Sequence, residues 1–431
     1  MDSMAYSVFS TGGLAQVVRA GDSRRFGIDL KNDRNDIIAA ASANALAGTI
    51  TLDNFQSTTL RRRTLVSYRD YEQALILRSI ARHLKRRLKV QMPDRNRAVR
   101  GVITSLLDCT PMFVIRCDIK SFYESVLVDD LREKLLYDTA SSTLVRSYFE
   151  RYFAAHCSNS QYGLPRGAGL SAVLAEISIR PFDDRVRTIP GVYRYFRYAD
   201  DIVVFCLKEP TAVLQMMRTA LPRGMQFNRS KTKIIDLTAP AVENGGPPRP
   251  YKIFNYLGYE LKVEDESGRS RSRRLIVTIA DDKLKKMQSK IILSFKSFIR
   301  DQDSGLLIDR LRFISSNYKV KRSGQTHNKG SIHIKSGIYY NYALCGSYKI
   351  GKRSELSRSM QGMDCLKRLD GVLRGMLSAN SNFGAIIKAN ISQIQQTQIR
   401  RISFLQGFEK KMLFRVTPER VSVIKRAWRN A

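Results

Sequence analysis

Tyr198-Ala199-Asp200-Asp201 places two adjacent carboxylates between two runs that read as strands, residues 192–197 before it and 202–206 after it. Neighbouring acids at a hairpin tip repel each other and gain nothing from burial. The pattern therefore narrows what can be built there. Either the turn is solvated, a common setting for Asp, or a cation meets both carboxylates. Mg²⁺ prefers hard oxygen ligands, and two that converge on it turn the repulsion into a binding site. The tetrapeptide alone leaves both readings open, so the rest of the chain has to choose.

A chain of 431 residues can bury substantial cores and divides into two or three domains. Its hydrophobic content of 43% excludes wholesale disorder. The charge balance is unusual: Lys+Arg 73 against Asp+Glu 39 gives a net +34. Such a field attracts polyanions, nucleic acid first and an anionic membrane surface second. The excess is uneven, because residues 271–431 carry 33 Lys+Arg against 10 Asp+Glu. A bias this large over a whole region favours polyanion binding over a merely solvated face. The cysteines (109, 117, 157, 206, 345 and 365) form no CxxC pair, several lie in apolar runs, and His is scarce. That argues against zinc and for small core hydrophobes in a reducing compartment. No stretch reads as a signal peptide or a long apolar span, so a cytoplasmic protein without a membrane partner is expected.

Residues 1–55 are rich in small side chains and assign poorly. Residues 56–100 read as helical and very basic, with Arg61-Arg62-Arg63 and a second basic run over 82–89. Leu75, Ile76, Ile80, Leu84 and Leu88 recur at helical spacing, which predicts one packed and one cationic face. Pro93-Asp94 ends that element. Residues 113–119 read as a buried strand delivering Asp118 to its end. Residues 126–156 read as helical. Gly163 to Gly169 form a loop, and Ser171 is the expected N-cap of the next helix. A helix is expected near 210–220 and a strand over 233–237. A loop is expected over 244–250, and a strand pair over 254–263. From Asp281 onward the chain reads as mostly helical, broken by a polar stretch near 321–337. Thr417-Pro418-Glu419 opens a basic final helix.

Two strands thus end in carboxylates, Asp118 on one and Asp200-Asp201 on the other. As neighbours in one sheet, the three acids could hold two Mg²⁺ ions roughly 3.5–4 Å apart, the spacing used in phosphoryl and nucleotidyl transfer. Five segments around them resemble the palm motifs of reverse transcriptases, in family order over about residues 90–262. Asp118-Ile119-Lys120-Ser121-Phe122-Tyr123 is similar to the first. Leu164-Pro165-Arg166-Gly167, followed by Ser171 and Leu174-Ala175-Glu176-Ile177, is similar to the second. Phe196-Arg197-Tyr198-Ala199-Asp200-Asp201 matches the YxDD hairpin. Asn228-Arg229-Ser230-Lys231-Thr232 resembles the next, and Tyr256-Leu257-Gly258-Tyr259 the primer-grip hairpin.

The resemblance implies a role for each matching position. Asp118, Asp200 and Asp201 correspond to the metal carboxylates, with the Ile119 carbonyl as a further ligand. Tyr123 corresponds to the steric gate that clashes with a ribose 2′-OH, against the plainer reading of a core tyrosine. Lys231 corresponds to the lysine that protonates or neutralises the leaving pyrophosphate, where charge builds, against the plainer reading of a surface lysine. Arg97 and Arg100 lie where fingers cations for the triphosphate are expected, with Arg95 a third candidate. Arg166 and Gly167 border the nucleotide. Many members carry Gln where this chain has Arg166, and a cation there would alter nucleotide contacts. The Leu-Pro-Arg-Gly form most resembles the bacterial abortive-infection and defence-associated branch. Residues 306–313 and 337–342 resemble downstream segments of that branch less specifically.

The expected fold is α+β, a right-hand polymerase. Fingers and palm with an antiparallel sheet occupy 1–265. A basic, helical thumb and C-terminal RNA-binding region occupies 266–431. The expected function is a Mg²⁺-dependent RNA-directed DNA polymerase of antiviral defence. Its partners would be deoxynucleotides, a cognate noncoding RNA template and the cDNA product. An RNA-binding scaffold with a vestigial palm, a template-independent or protein-primed DNA polymerase, and an RNA-templated RNA polymerase are the rivals.

Overall fold

The computed structural model describes residues 7–19, 21–60, 63–108, 110–138, 141–157, 162–238, 252–265, 273–321, 333–350, 355–360, 363–378 and 380–428. Arg61, Arg62, Cys109 and the expected loop at 244–250 lie outside them, as does most of the polar stretch near 321–337. The described residues form two compact units. One lies within Met1–Ala98 and Pro111–Thr238, the other within Val99–Thr110, Ala239–Arg322 and Lys329–Ala431.

The first unit departs from the helical expectation over 56–100 at its start. β1 (Phe55–Leu60) and β2 (Arg63–Tyr68) form an antiparallel hairpin. Thr58, Thr59, Thr64 and Val66 are β-branched and suit a pleated surface better than a helix. Helix begins at Tyr71–Arg87, where the Asp70 side chain caps the amides of Glu72 and Gln73. Leu75, Ile76, Ile80 and Leu84 of that helix are buried, as their spacing predicts. A second helix, Arg95–Leu106, runs across the division between the units.

The sheet of this unit contains β3 (Met112–Asp118), β4 (Val192–Tyr198), β5 (Asp201–Cys206) and β6 (Lys233–Leu237) in the order β4-β5-β3-β6, all antiparallel. β3 and β5 are interior, and Val114, Ile115, Cys117 and residues 202–206 are fully buried. Each such apolar side chain contributes about 1.5–3 kcal/mol on burial. Burial also pushes the Cys117 and Cys206 thiols up to about 12 and about 11, so both stay neutral and behave as packing groups. The expected helix over 126–156 is two helices, Val128–Glu133 and Thr143–Cys157, the first running on into wider π-type turns at Lys134–Asp138.

Helix Gly169–Arg187 packs on Tyr71–Arg87 and on β4. Ala168, not Ser171, is its N-cap. The buried Ser171 hydroxyl instead meets the Pro165 carbonyl at 2.5 Å and the Tyr152 hydroxyl at 2.7 Å. A buried hydroxyl takes the partners within reach, and these lie in the loop and the neighbouring helix rather than at the helix end.

The second unit opens with β7 (Lys252–Tyr256), β8 (Tyr259–Asp265) and β9 (Arg273–Ile279). The expected strand pair at 254–263 is the β7–β8 hairpin. Leu257 and Gly258 turn it with φ of 47° and 80°, the left-handed pair that a two-residue hairpin loop demands. Helices Asp281–Asp301 and Ser304–Ser315 follow, then β10 (Asn317–Lys321) and β11 (His333–Gly337). β12 (Gly346–Ile350) and β13 (Leu356–Ser359) complete a five-stranded antiparallel sheet in the order β13-β12-β9-β8-β7. Four helices between Asp364 and Glu409, the strand β14 (Leu413–Arg415) and the helix Pro418–Arg426 end the unit. Thr417 caps that last helix as expected.

The C-terminal part is therefore rich in helix but also carries strands. β11-β10-β14 form a small sheet around Asn317. The buried Asn317 amide donates to the carbonyls of Gly407 and Met412 at 3.1 Å each and accepts from the Tyr339 amide at 2.8 Å. Short polar strands such as Asn317–Lys321 carry little periodicity, which hides them in a helical context.

Candidate active site

The interior strand β3 ends at Asp118, whose register partner on β5 is Asp201. The β4–β5 turn is Ala199-Asp200, so all three acids meet at one end of the sheet. The turn is tied to the strand beyond β3 by the Ile119 amide, which donates to the Asp200 carbonyl at 3.0 Å. Ala199 has a φ of 52°, a left-handed conformation that Gly or Asn adopts at lower cost.

Asp118 is 6% exposed, and its Oδ1 accepts from Lys231 Nζ at 2.9 Å. Local backbone delivers that lysine. The Asn228 amide donates to the Asp118 carbonyl at 2.7 Å, and the short 3₁₀ turn Arg229–Lys231 then curls back toward the carboxylate. Lys231 is 52% exposed, so its far side faces solvent. Asp201 Oδ1 lies 3.4 Å from the Arg116 guanidinium. Arg116 and Asp118 are two apart on β3 and so share a face. Burial pushes the carboxyls of Asp200 and Asp201 upward. The neighbouring carboxylates push the same way, while Lys231 and Arg166 oppose at Asp200 and Arg116 opposes at Asp201. Burial and like charge thus outweigh the nearby cations at both acids.

Among the described residues no three His, Cys, Asp or Glu side chains converge ready to hold one ion. Asp118 turns to Lys231 and Asp201 to Arg116. The donor chemistry, three carboxylates and a strand-end carbonyl, suits a hard divalent cation.

Beside the acids sits a second group. Tyr123 is half-buried, and burial, aided by the charge of Glu176, raises its phenol. The Arg166 guanidinium lies 4.9 Å over the Tyr123 ring and forks onto Glu124, with Nε to Oε1 at 2.6 Å and an NH₂ group to Oε2 at 2.9 Å. The cation that departs from the common Gln is therefore neutralised locally. Gly167 follows with a φ of +96°, and a Cβ there would stand 2.4 Å from the Val66 carbonyl oxygen. That approach is part of a bridge in which the Val66 amide donates to the Arg166 carbonyl at 2.7 Å. Only glycine fits.

The structure therefore brings together Asp118, Asp200, Asp201, Lys231 and Ile119, and beside them Tyr123, Arg166 and Gly167. Arg97 borders the same cavity as Asp183 and Arg197. That cavity, of about 470 Å³, is also lined by Lys89, Arg180, Glu176 and Arg187. Arg100 is exposed on the part of its helix that belongs to the second unit. Five residues at the site carried no role in the sequence: Arg116, Glu124, Glu176, Asp183 and Arg197. Strand parity would have flagged Arg116, whereas the pairing of Glu124 with Arg166 spans 42 positions and has no local signal.

An antiparallel sheet carrying three acids at one end, next to an aromatic wall, defines a palm of the right-hand polymerase class. Residues 61–261, just under half of the chain, match the family model described as reverse transcriptase (RNA-dependent DNA polymerase). The chain is also similar to the structure of apo telomerase from Candida tropicalis truncated from its C-terminal domain, at 12% identity and TM-score 0.34, over 53% of this chain and 59% of that one. A second similar structure is a Cas6-RT-Cas1–Cas2 complex, at 16% identity and TM-score 0.32, over 61% of this chain and 34% of that one. The match thus spans under two thirds of either chain's length. No curated protein matches the sequence. Among the described residues, no helix is long and apolar enough to cross a membrane.

Proposed function

We propose that the chain is an RNA-directed DNA polymerase that copies a cognate noncoding RNA into cDNA in bacterial antiviral defence. The observation that carries the polymerase reading is the meeting of Asp118, Asp200 and Asp201 at one end of a sheet inside the residues that match a reverse-transcriptase domain. The defence role and the RNA template rest on the resemblance of Leu164-Pro165-Arg166-Gly167 and its surroundings to that branch.

Such domains work with divalent ions, here taken as two Mg²⁺ held by Asp118, Asp200, Asp201 and the Ile119 carbonyl. When bound, they would activate the primer hydroxyl and neutralise the triphosphate. The remaining steps belong to side chains. Lys231, already on Asp118 and open to solvent on its far side, presents a proton and a positive charge to the departing pyrophosphate. The Tyr123 ring, backed by Arg166, walls the sugar and excludes a 2′-hydroxyl. Gly167 lets the following backbone lie against β2, which keeps that wall close to the acids. The fingers arginines Arg97 and Arg100 are the candidates for the triphosphate. The basic C-terminal part would grip template and primer through phosphates and 2′-hydroxyls. In this assignment, fingers and palm occupy 1–265 and the thumb and RNA-binding region 266–431.

Full-length protein with its co-purifying RNA, deoxynucleotides and Mg²⁺ is expected to yield cDNA, with Asp200→Ala/Asp201→Ala abolishing it. Full-length DNA product from the double variant would sink the reading. A scaffold with a vestigial palm is the second reading. It is favoured by the pairing of Asp118 with Lys231 and of Asp201 with Arg116, which already answers two of the acids with cations. Tight RNA binding with no label incorporated under any divalent metal would support it.

A further inference from the structure

One buried cluster at the catalytic end of the sheet is not used by the chemistry above. Arg197, on β4, is 7% exposed at its side chain and lies between Glu176 and Asp183 of the helix Gly169–Arg187. Its Nε donates to Asp183 Oδ1 at 2.7 Å. One NH₂ group donates to Asp183 Oδ2 at 2.6 Å and to Glu176 Oε2 at 2.7 Å. The other donates to Glu176 Oε1 at 3.2 Å and to the Ala199 carbonyl at 3.2 Å. The Tyr195 hydroxyl adds a bond to Asp183 Oδ1 at 2.5 Å. Every N–H of the guanidinium is thus used, which only the five-donor planar fork of arginine allows.

Stability alone is a poor reason for this cluster. Burying three charged groups together carries a large desolvation cost, and a packed apolar group of the same volume would serve as well or better. The informative bond is the one to Ala199. That residue is the left-handed turn position immediately before Asp200, in a backbone conformation that disfavours a residue with a Cβ. Its carbonyl is held from the helix side, while the Ile119 amide holds the Asp200 carbonyl from the β3 side. The turn is clamped at two successive carbonyls, and the two acids leave it in fixed directions.

We propose that Arg197 is a positioning residue: locked between Glu176 and Asp183, it holds the Ala199 carbonyl and thereby aims Asp200 and Asp201. This rests on reading those two acids as metal ligands. It assigns to the segment before the acids a function separate from metal binding itself. The helix Gly169–Arg187, through Glu176 and Asp183, becomes the rigid element against which the catalytic turn is set.

The test uses full-length protein: wild type, Arg197→Lys, Arg197→Gln, Glu176→Gln and the control Arg132→Gln, whose exposed arginine pairs with Glu150 on another helix. Thermal unfolding reports folding, electron paramagnetic resonance reports Mn²⁺ binding, and primer extension reports kcat and the deoxynucleotide KM. Folded Arg197→Lys is expected to bind Mn²⁺ about tenfold more weakly. Its kcat is expected to fall about 100-fold at unchanged KM. Glu176→Gln should shift both readouts the same way by less, and Arg132→Gln should match wild type. Wild-type Mn²⁺ affinity and kcat in folded Arg197→Lys or Arg197→Gln would overturn the proposal. If neither arginine variant folds, Glu176→Gln decides it, and unchanged values there overturn it. Wild-type protein that binds no Mn²⁺ sinks the metal reading itself. Wild-type protein that binds Mn²⁺ but makes no DNA sinks the polymerase reading and leaves the Mn²⁺ comparison to judge Arg197.

Discussion

At the scale of single residues, the site is a balance of buried charge. Asp200 and Asp201 hold raised carboxyls because burial and neighbouring acids disfavour ionisation. A raised folded value means the fold binds protons more tightly than the unfolded chain. Stability from these groups is therefore full below the unfolded value of ~3.9 and is lost as pH rises through the folded one. Asp200→Asn should consequently raise the melting temperature at neutral pH while removing activity, which a thermal melt and a primer-extension assay on one sample would check. An unchanged or lowered melting temperature would show that the acid is not under strain. Glu124 makes a second prediction. Its fork on Arg166 steadies the cation over the Tyr123 ring. Glu124→Gln should loosen that wall and improve ribonucleotide use relative to deoxynucleotide by about tenfold in the kcat/KM ratio. Loss of both activities in parallel would mean the pair only supports the fold.

At the scale of elements, contacts between distant segments decide the arrangement. The loop before helix Gly169–Arg187 meets β2 at a point where only Gly167 fits, because a Cβ would collide with the Val66 carbonyl. Gly167→Ala should cost about 1–3 kcal/mol in backbone strain and raise the deoxynucleotide KM, as calorimetry and kinetics would show. The β1–β2 hairpin is anchored on its other side by aromatic packing. Tyr68 hydrogen-bonds His156, and the Phe55 ring lies 4.4 Å from that imidazole. Burial lowers His156 from the ordinary value of 6.5 to about 4, so the fold keeps it neutral. Here the sign is opposite to that of the acids. Between those two values the unfolded chain binds the extra proton, so stability falls as pH drops from 6.5 toward about 4. His156→Phe should flatten that part of a stability–pH curve; an unchanged slope would assign it to other groups.

At the scale of the whole molecule, charge is the dominant quantity. A net +34, concentrated beyond residue 270, predicts nucleic-acid binding led by phosphate contacts. With six or more such contacts, affinity of the intact chain for structured RNA should fall about 1,000-fold between 50 and 200 mM salt. A filter-binding series would measure the slope, and a flat one would mean that base-edge or apolar contacts dominate. The uneven distribution matters for the reading of function. The three acids sit in one unit and most of the excess cations in the sequence of the other, so the two kinds of charge are divided along the chain.

Much of this was legible in sequence because its signals are local. Asp118 at the end of an apolar strand, the acids between two aromatic and β-branched strands, the Leu257-Gly258 hairpin and the Thr417 cap depend on neighbours within a few positions. Backbone sterics and period-two burial act over that range. What tertiary structure decided spans tens of residues. It turned Ser171 from a cap into a buried bridge to Tyr152, folded residues 55–68 into a hairpin, and set short polar strands among C-terminal helices. It also paired Arg166 with Glu124 and locked Arg197 between two carboxylates from another element. The reason is physical: a buried hydroxyl or guanidinium must find partners wherever packing places them. The sequence determined that two strands would end in acids, and the fold set those strands side by side. Only the folded chain decided what holds them there.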